Sequence, residues 1–497
     1  MATVTAQGLS DAARAFVDGS PKKLLIGAER LEAADGRTFD SIDPATGEPI
    51  VAVAQGGAED VERAVTAARG ALEGALRKVS PSKRAGLMYS LAELIKANRA
   101  ELAELESLDN GKPLAAANGD IAASVAHLRY YAGWPTKIEG ETIPVSARDV
   151  LCYTLREPVG VCAQIVPWNY PLLMAIWKVA PALAAGCSIV LKPAEQTPLT
   201  ALRLGELALE AGFPEGTLNV LTGDGETGAA LVDHPGVDKV AFTGSTVVGR
   251  EIGAKCGRAL KRVTLELGGK SPNIILGDAD LDAAVKGSFL GIYSNSGQAC
   301  NAASRLLVQA DLFDDVVARL ADFAREAKVG PGLDPETEFG PVISEEQFGR
   351  VSGYIDSGLE EGAEAVAGGR PDGNGADGGG YFVKPTLFTG VEDRMRIARE
   401  EIFGPVLVAQ PFEDLEEVAR RANDTDYGLA AGLWTRDISQ AHKLAALLKA
   451  GSVYINTWGA GDPAAPFGGY KASGIGREKG HHNLDAYLET KSVFAQL

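Results

Sequence analysis

The sequence is poor in the residues that build several common kinds of site. Its 497 residues hold five cysteines (Cys152, Cys162, Cys187, Cys256 and Cys300), an odd number with no C-x-x-C spacing. That excludes a disulfide framework and a cysteine-based zinc site, and it fits a reducing, cytoplasmic compartment. The five histidines (His127, His234, His442, His481 and His482) include no H-x-x-x-H pair. No metal site and no Ser-His hydrolase site is therefore expected. Cationic residues are also in deficit, with 48 Lys and Arg against 66 Asp and Glu and a formal charge of −18. Phosphates need cations to displace their counterions, so no nucleic-acid partner is expected. The surplus acid reads as a solvated, self-repelling surface. Long apolar runs are missing too. The most apolar stretch, Val159 to Lys192, is broken by Pro167, Asn169, Pro171, Lys178 and Pro181. It falls well short of a membrane span and reads as buried core. The N-terminal stretch has no basic start followed by an apolar core, so no secretory signal is expected.

What is present is an ordinary globular composition, 45% hydrophobic and 23% charged, in a chain long enough for about three domains. From Ala58, Val61, Ala64, Val65, Ala68 and Leu72 recur at helical spacing. A second helix is expected after Ser82, with Leu87, Leu91, Leu94 and Ile95 on one face, and Asp109 to Pro113 marks a break. Past residue 150 short apolar runs alternate with helical segments. Strands are expected at Val159 to Val166, Ser188 to Leu191, Leu218 to Leu221 and Val237 to Phe242. Helices are expected at Pro171 to Ala185, Leu199 to Ala211 and from Thr246. Such alternation implies βαβ crossovers and a mostly parallel sheet covered on both faces. The pattern resumes after Leu267 as a second α/β unit to about residue 465, with a surface loop at Gly368 to Gly380. Tyr487 to Leu497 reads as a strand with no partner nearby in sequence.

Six short runs carry possible chemistry. In Ser-Gly-Gln-Ala-Cys-Asn (296–301), small and polar neighbours surround Cys300, as expected where a thiol must meet a substrate. A free thiol titrates near about 8.5, so it needs a nearby base or electropositive surroundings to act. In Leu-Glu-Leu-Gly-Gly-Lys-Ser-Pro (265–272), Glu266 sits between leucines at the end of an apolar run. A carboxylate there is either ion-paired or a general base with a pKa raised by burial. Val-Pro-Trp-Asn-Tyr-Pro (166–171) holds the Asn169 amide between two prolines, as a capped loop or as an oxyanion donor. Two glycine fingerprints follow strands, Gly223 to Gly228 and Gly244 to Gly249, and spacing alone does not rank them as phosphate loops. Lys192 and Glu195 lie at a strand end, where a carboxylate accepts from a ribose diol and repels a 2′-phosphate, favouring NAD over NADP.

Taken together, these runs resemble the aldehyde dehydrogenase superfamily. The likeness extends from Asp43-Pro-Ala-Thr-Gly-Glu to Pro466-Phe-Gly-Gly-Tyr-Lys-Ala-Ser-Gly-Ile-Gly-Arg-Glu478. It implies an α/β protein with a Rossmann-like cofactor domain (1–136 and 158–266), a catalytic domain (267–465), and a small β extension for oligomerisation (137–157 and 480–497). It implies NAD as cofactor, a small-molecule aldehyde as substrate and a homodimer or homotetramer. Cys300 becomes the nucleophile, Glu266 the base, Asn169 the oxyanion donor, and Lys178 and Glu478 proton-relay residues. The pyrophosphate turn becomes Gly244 to Gly249, with Gly225 an adenine-side contact. Lys192 and Glu195 then hold the adenosine ribose, and Glu401 and Phe403 the nicotinamide ribose. Ile165, Trp168, Ser245, Val248 and Leu267 complete the cofactor site, and Tyr170, Met174, Trp177, Trp458 and Phe467 line the substrate tunnel. Members that pass the acyl group to CoA tend to lack the glutamate, so Glu266 favours hydrolysis.

The sequence departs from the family pattern around the substrate. Ala303 stands where many relatives have glycine, Ser294 where many have an aromatic, and Gly459 and Gly461 at the expected tunnel mouth. A wider tunnel for a bulky aromatic or aliphatic aldehyde is expected. The alternative is a betaine- or aminoaldehyde, because Tyr170, Trp177 and Trp458 match three of the four walls that hold a quaternary ammonium in betaine aldehyde dehydrogenases.

Overall fold

Five largely buried runs rich in β-branched and aliphatic residues form the centre of the first sheet in the computed structural model, which describes residues 8–371 and 379–497. In spatial order they are Leu218–Val220, Ser188–Lys192, Val161–Ile165, Lys239–Thr243 and Arg262–Glu266, all parallel. Numbered along the chain, that is order 3-2-1-4-5, the Rossmann arrangement, with its reversal between Val161–Ile165 and Lys239–Thr243. Antiparallel strands complete the sheet at both edges, Leu24–Ile26 and Glu29–Leu31 on one side and Gly474–Ile475 on the other.

The chain leaves Glu266 and, across Gly268 and Gly269, enters Pro272–Ile275, an inner strand of a second, seven-stranded sheet. There it pairs in parallel with Arg305–Gln309 and Ala430–Trp434. The cleft between the two sheets is thus lined by strand ends from both. The tail strand, Leu488–Gln496, does find a partner, running antiparallel along the whole of Val150–Pro158, with Thr142–Ile143 beyond. Its partner is some 330 residues away, too far for local pattern to reveal. That strand ends at Pro158, one residue past the expected boundary.

Most element boundaries follow local chemistry. The helix Pro171–Ala185 starts with proline, whose missing N–H costs nothing at that position, and stops at Gly186 in the left-handed conformation. The helix expected after Ser82 instead begins at Pro81, because Ser80 Oγ caps Lys83 N–H. The strand expected at Val237 begins at Lys239, after a turn at His234 to Val237. Helices Arg99–Asn110 and Leu114–Ala132 flank the break at Gly111. Of the loop expected at Gly368 to Gly380, residues 372–378 lie outside the described residues, and the rest forms neither helix nor strand. No helix among the described residues is long and apolar enough to cross a membrane.

A buried ion cluster ties this helical layer to the cleft. Lys112 Nζ bonds Glu106 at 2.9 Å and Asp120 at 2.7 Å, and lies 4.5 Å from the centre of the Tyr170 ring. Glu106 also accepts from the Leu172 N–H. Lys112→Met leaves carboxylates buried without their cation, an expected loss of about 3 kcal/mol. Burial pushes Glu106 up to about 7 even beside Lys112. An acid raised this way destabilises the folded state increasingly as pH climbs above its unfolded value, so the penalty in the variant shrinks as pH falls towards 6. Urea midpoints at pH 6 and pH 8 test both statements.

Candidate active site

Three adjacent strand ends deliver expected residues to one cleft of about 970 Å³. The strand ending at Ile165 leads to Trp168 and Asn169, the one ending at Thr243 leads to Gly244 and Ser245, and the third ends on Glu266 itself. From the second sheet come Cys300, just before Arg305–Gln309, and Glu401 and Phe403, just before Val406–Phe412.

Cys300 is presented by a strained segment. Asn295, Ser296 and Gly297 all have positive φ (50°, 53° and 72°), a conformation held only when the surroundings over-determine it. Those surroundings are specific. Asn295 Nδ2 bonds the Asn169 carbonyl at 2.9 Å, Ser296 Oγ the Gly340 carbonyl at 2.6 Å, and Gln298 Oε1 accepts from Ile343 N–H at 2.9 Å. A Cβ on Gly297 would stand 2.0 Å from the Gly404 carbonyl oxygen, and one on Gly269 would stand 2.3 Å from that of Cys300. Only glycine fits at either place.

The electrostatics follow from burial. Glu266 is 3% exposed and, among the described residues, its carboxylate makes no close hydrogen bond and faces the Cys300 thiol. Desolvation, with the nearby Glu478 charge, pushes it up to about 8. Burial and the facing Glu266 carboxylate push the Cys300 thiol up as well. Asn169 Nδ2 donates one hydrogen to the Gln298 carbonyl at 2.8 Å and keeps its second. Lys178 and Glu478 form a buried ion pair behind the cleft rather than in its wall, and Lys178 Nζ also reaches Thr243 Oγ1 at 2.5 Å.

Glu401 accepts from Gly269 N–H at 3.0 Å, and burial pushes it up to about 7. Gln347 and Arg350 hold the neighbouring Phe403 and Glu401 carbonyls at 2.8 Å each. Trp168 and Phe403 meet edge to face, with ring centres 5.2 Å apart. Tyr170, Met174, Trp177, Trp458 and Phe467 all line the cleft, as do Ser294, Gly459 and Gly461. Ala303 does not; it is buried against Gly291 beneath Trp458.

The remaining expected residues lie apart from this cleft. Lys192 Nζ is 3.3 Å from Glu195, which lines a neighbouring depression together with Asp224. Ile165 and Lys192 converge on Gly228, while Leu267 packs against Gly249. Val248 stands 43% exposed at the start of the helix Thr246–Ala259, and Gly225 opens the next helix back, with empty space around it. The two glycine fingerprints are now distinguishable. At the first, the Asp224 carboxylate caps its own helix through Glu226 and Thr227 N–H, so that helix start carries a negative charge. At the second, Gly244 and Ser245 open onto the cleft.

These features have counterparts in known proteins. The model of the aldehyde dehydrogenase family matches residues 31–493. The chain belongs to the aldehyde dehydrogenase family. It is accordingly an oxidoreductase of the aldehyde dehydrogenase class. Among relatives, the putative aldehyde dehydrogenase DhaS of Bacillus subtilis is 53% identical, over 97% of each chain. Human mitochondrial aldehyde dehydrogenase is 49% identical, over 95% of this chain and 91% of its own. The structure of the Bacillus cereus aldehyde dehydrogenase complex with NAD+ matches with TM-score 0.96 at 51% identity, covering 98% of this chain and 99% of that one. The betaine aldehyde dehydrogenase of Staphylococcus aureus, also with NAD+, matches at 0.94 and 42%, covering 98% and 97%.

Sequence reading missed Thr243, Asn295, Gln347 and Lys479. Lys479 lines the cleft with its ammonium 5.0 Å from the Trp177 ring centre and 5.8 Å from that of Phe467. Its neighbours in sequence, Glu478 and Gly480, carry no signal of that placement.

Proposed function

We propose that the chain oxidises an aldehyde to the carboxylic acid with NAD, through a thioester on Cys300. The observation that carries this reading is the facing of Cys300 and Glu266 in one cleft, burial raising the carboxyl pKa and the carboxylate raising that of the thiol, beside an amide with an unspent hydrogen. The residues present also fit the cofactor. Gly244 and Ser245 open a helix start onto the cleft, with backbone N–H groups suited to a pyrophosphate. The exposed Val248 offers an apolar face to a base, Lys192 and Glu195 a cation and carboxylate to a ribose, and Glu401 a carboxylate to the other ribose.

In this reading Glu266 takes the Cys300 thiol proton as sulfur bonds the carbonyl carbon. The developing oxyanion receives the second Asn169 amide hydrogen and the Cys300 N–H, which no described backbone carbonyl uses. One such donor typically accounts for about 10²–10³ in rate. NAD, when bound, supplies the acceptor for the hydride that leaves the same carbon. Glu266 then removes a proton from a water that attacks the thioester, expelling the Cys300 thiolate and releasing the acid. Lys178 and Glu478, electrostatically coupled to Glu266, are placed to pass its proton outward. The first α/β unit is the cofactor half, the second carries the nucleophile, and the outer edge of the three-stranded sheet is available for subunit pairing. A quaternary ammonium substrate is disfavoured, because Lys479 already holds a cation against Trp177.

The test is NADH absorbance with purified protein, NAD and a panel of aliphatic, aromatic and cationic aldehydes. No NADH from any of them, with NAD bound, overturns the reading. The same assay tests cofactor choice. Glu195→Ser removes the charge that opposes a 2′-phosphate, so the NAD-over-NADP ratio of kcat/KM is expected to fall about tenfold or more. An unchanged ratio shows that Glu195 does not discriminate.

A further inference from the structure

The substrate end of the cleft carries polar atoms that the mechanism above does not use. Lys479 is 6% exposed and, among the described residues, its Nζ has no hydrogen bond or ion pair, only the faces of Trp177 and Phe467. Desolvation lowers its pKa, while Asp462 and Glu478 act on it only from a distance; Glu478 is already spent on Lys178. Among the described residues, Trp177 Nε1 is buried without an acceptor. The His127 ring lies tilted against Trp177, centres 5.7 Å apart, and its Nε2 has no partner among the described residues. Its Nδ1–H donates to the Ala123 carbonyl at 2.7 Å, and burial pushes its pKa down to about 4, so it stays neutral.

The backbone fixes this arrangement. Lys479 has φ +61°, an uncommon conformation for a side-chain-bearing residue. It is pinned between the paired Phe467 and Glu478 backbones, 2.7 Å in each direction, and a Tyr131 hydroxyl bond to the Gly480 carbonyl at 2.9 Å. Beside the ammonium, Gly461 has no side chain; a Cβ there would be 3.5 Å from Nζ. The space left open is therefore next to the cation, in the cleft that Cys300, Trp177 and Phe467 also line. A buried cation without a counter-ion costs free energy that a bound anion returns.

We infer that the substrate is an aldehyde bearing a carboxylate at its far end, received by Lys479 Nζ in the cleft. This rests on the oxidation proposed above and narrows it to a substrate class. An ammonium-bearing aldehyde meets like charge at the same place, and a neutral one leaves the cation unpaired.

The experiment compares kcat/KM for 4-oxobutanoate and 6-oxohexanoate with butanal and hexanal, and includes a trimethylammonio aldehyde. The oxo-acids are expected to lead their neutral counterparts by about tenfold or more, mainly through KM, with the cationic aldehyde last. Lys479→Met should cut the oxo-acid-to-aldehyde ratio about tenfold, and Lys479→Arg should keep most of it. A wild-type ratio at or below one, or a ratio unmoved in Lys479→Met, overturns the inference. Titration of indole fluorescence with succinate or adipate, which cannot react, reads the anion site without turnover. Dicarboxylate binding that weakens in Lys479→Met, with no aldehyde oxidised, overturns the oxidation and leaves the anion site standing. Aldehyde oxidation without oxo-acid preference or dicarboxylate binding overturns the anion site alone.

Discussion

Cys300→Ala is expected to abolish NADH formation from every aldehyde, a fall of at least about 10⁴ in kcat/KM, because no other group can carry the acyl intermediate. Cys152, Cys162, Cys187 and Cys256 are all buried away from the cleft, so none can substitute. The variant removes one sulfur from the cleft and breaks none of the bonds that hold the Asn295–Gln298 segment, which run through other side chains. NAD binding, read by fluorescence titration, should therefore survive. Residual NADH formation within tenfold of wild type would show that the carbonyl is oxidised without a sulfur bond. Ester hydrolysis should be lost together with dehydrogenase activity, since the nucleophile is the same.

The cysteine was readable in sequence because its neighbours were small and polar, but the reason for those neighbours was not. Three consecutive positive φ values and the approach of Gly297 to the Gly404 carbonyl are tertiary facts, set by Gly340, Ile343 and Asn169 from distant parts of the chain. The helix Pro171–Ala185 was legible to the residue because proline and glycine punctuate it chemically. The helix at Pro81 was misplaced by two residues because Ser80 and Ser82 are equally good caps until the backbone chooses. The glycine fingerprints illustrate the same limit. Both had the spacing, and what separates them is a charge, the Asp224 carboxylate folded over its own helix start. Lys479 was invisible for a related reason. Nothing about a lysine between glutamate and glycine says that it will lie over two aromatic rings.

Glu266→Gln separates the two halves of the reaction. The amide cannot take a proton from water, so steady-state turnover is expected to fall about 10²–10⁴-fold. The first half should suffer less. The wild-type carboxylate raises the thiol pKa, and replacing it with a neutral amide lowers that pKa, leaving more thiolate at a given pH. A burst of NADH close to one per active site, followed by a slow phase, is therefore expected on rapid mixing. In the wild type, a base held at about 8 is only about one-tenth ionised at pH 7, so kcat should rise with pH through about 8. The sign follows from the role, since the ionised form is the active one and lowering the pH removes it. In Glu266→Gln that rise should disappear from the slow phase. Undiminished steady-state turnover in the variant would mean that another group activates the water. Loss of the burst itself would place the indispensable proton transfer at the thiol, so that burst amplitude against pH decides which of its two protons Glu266 must move.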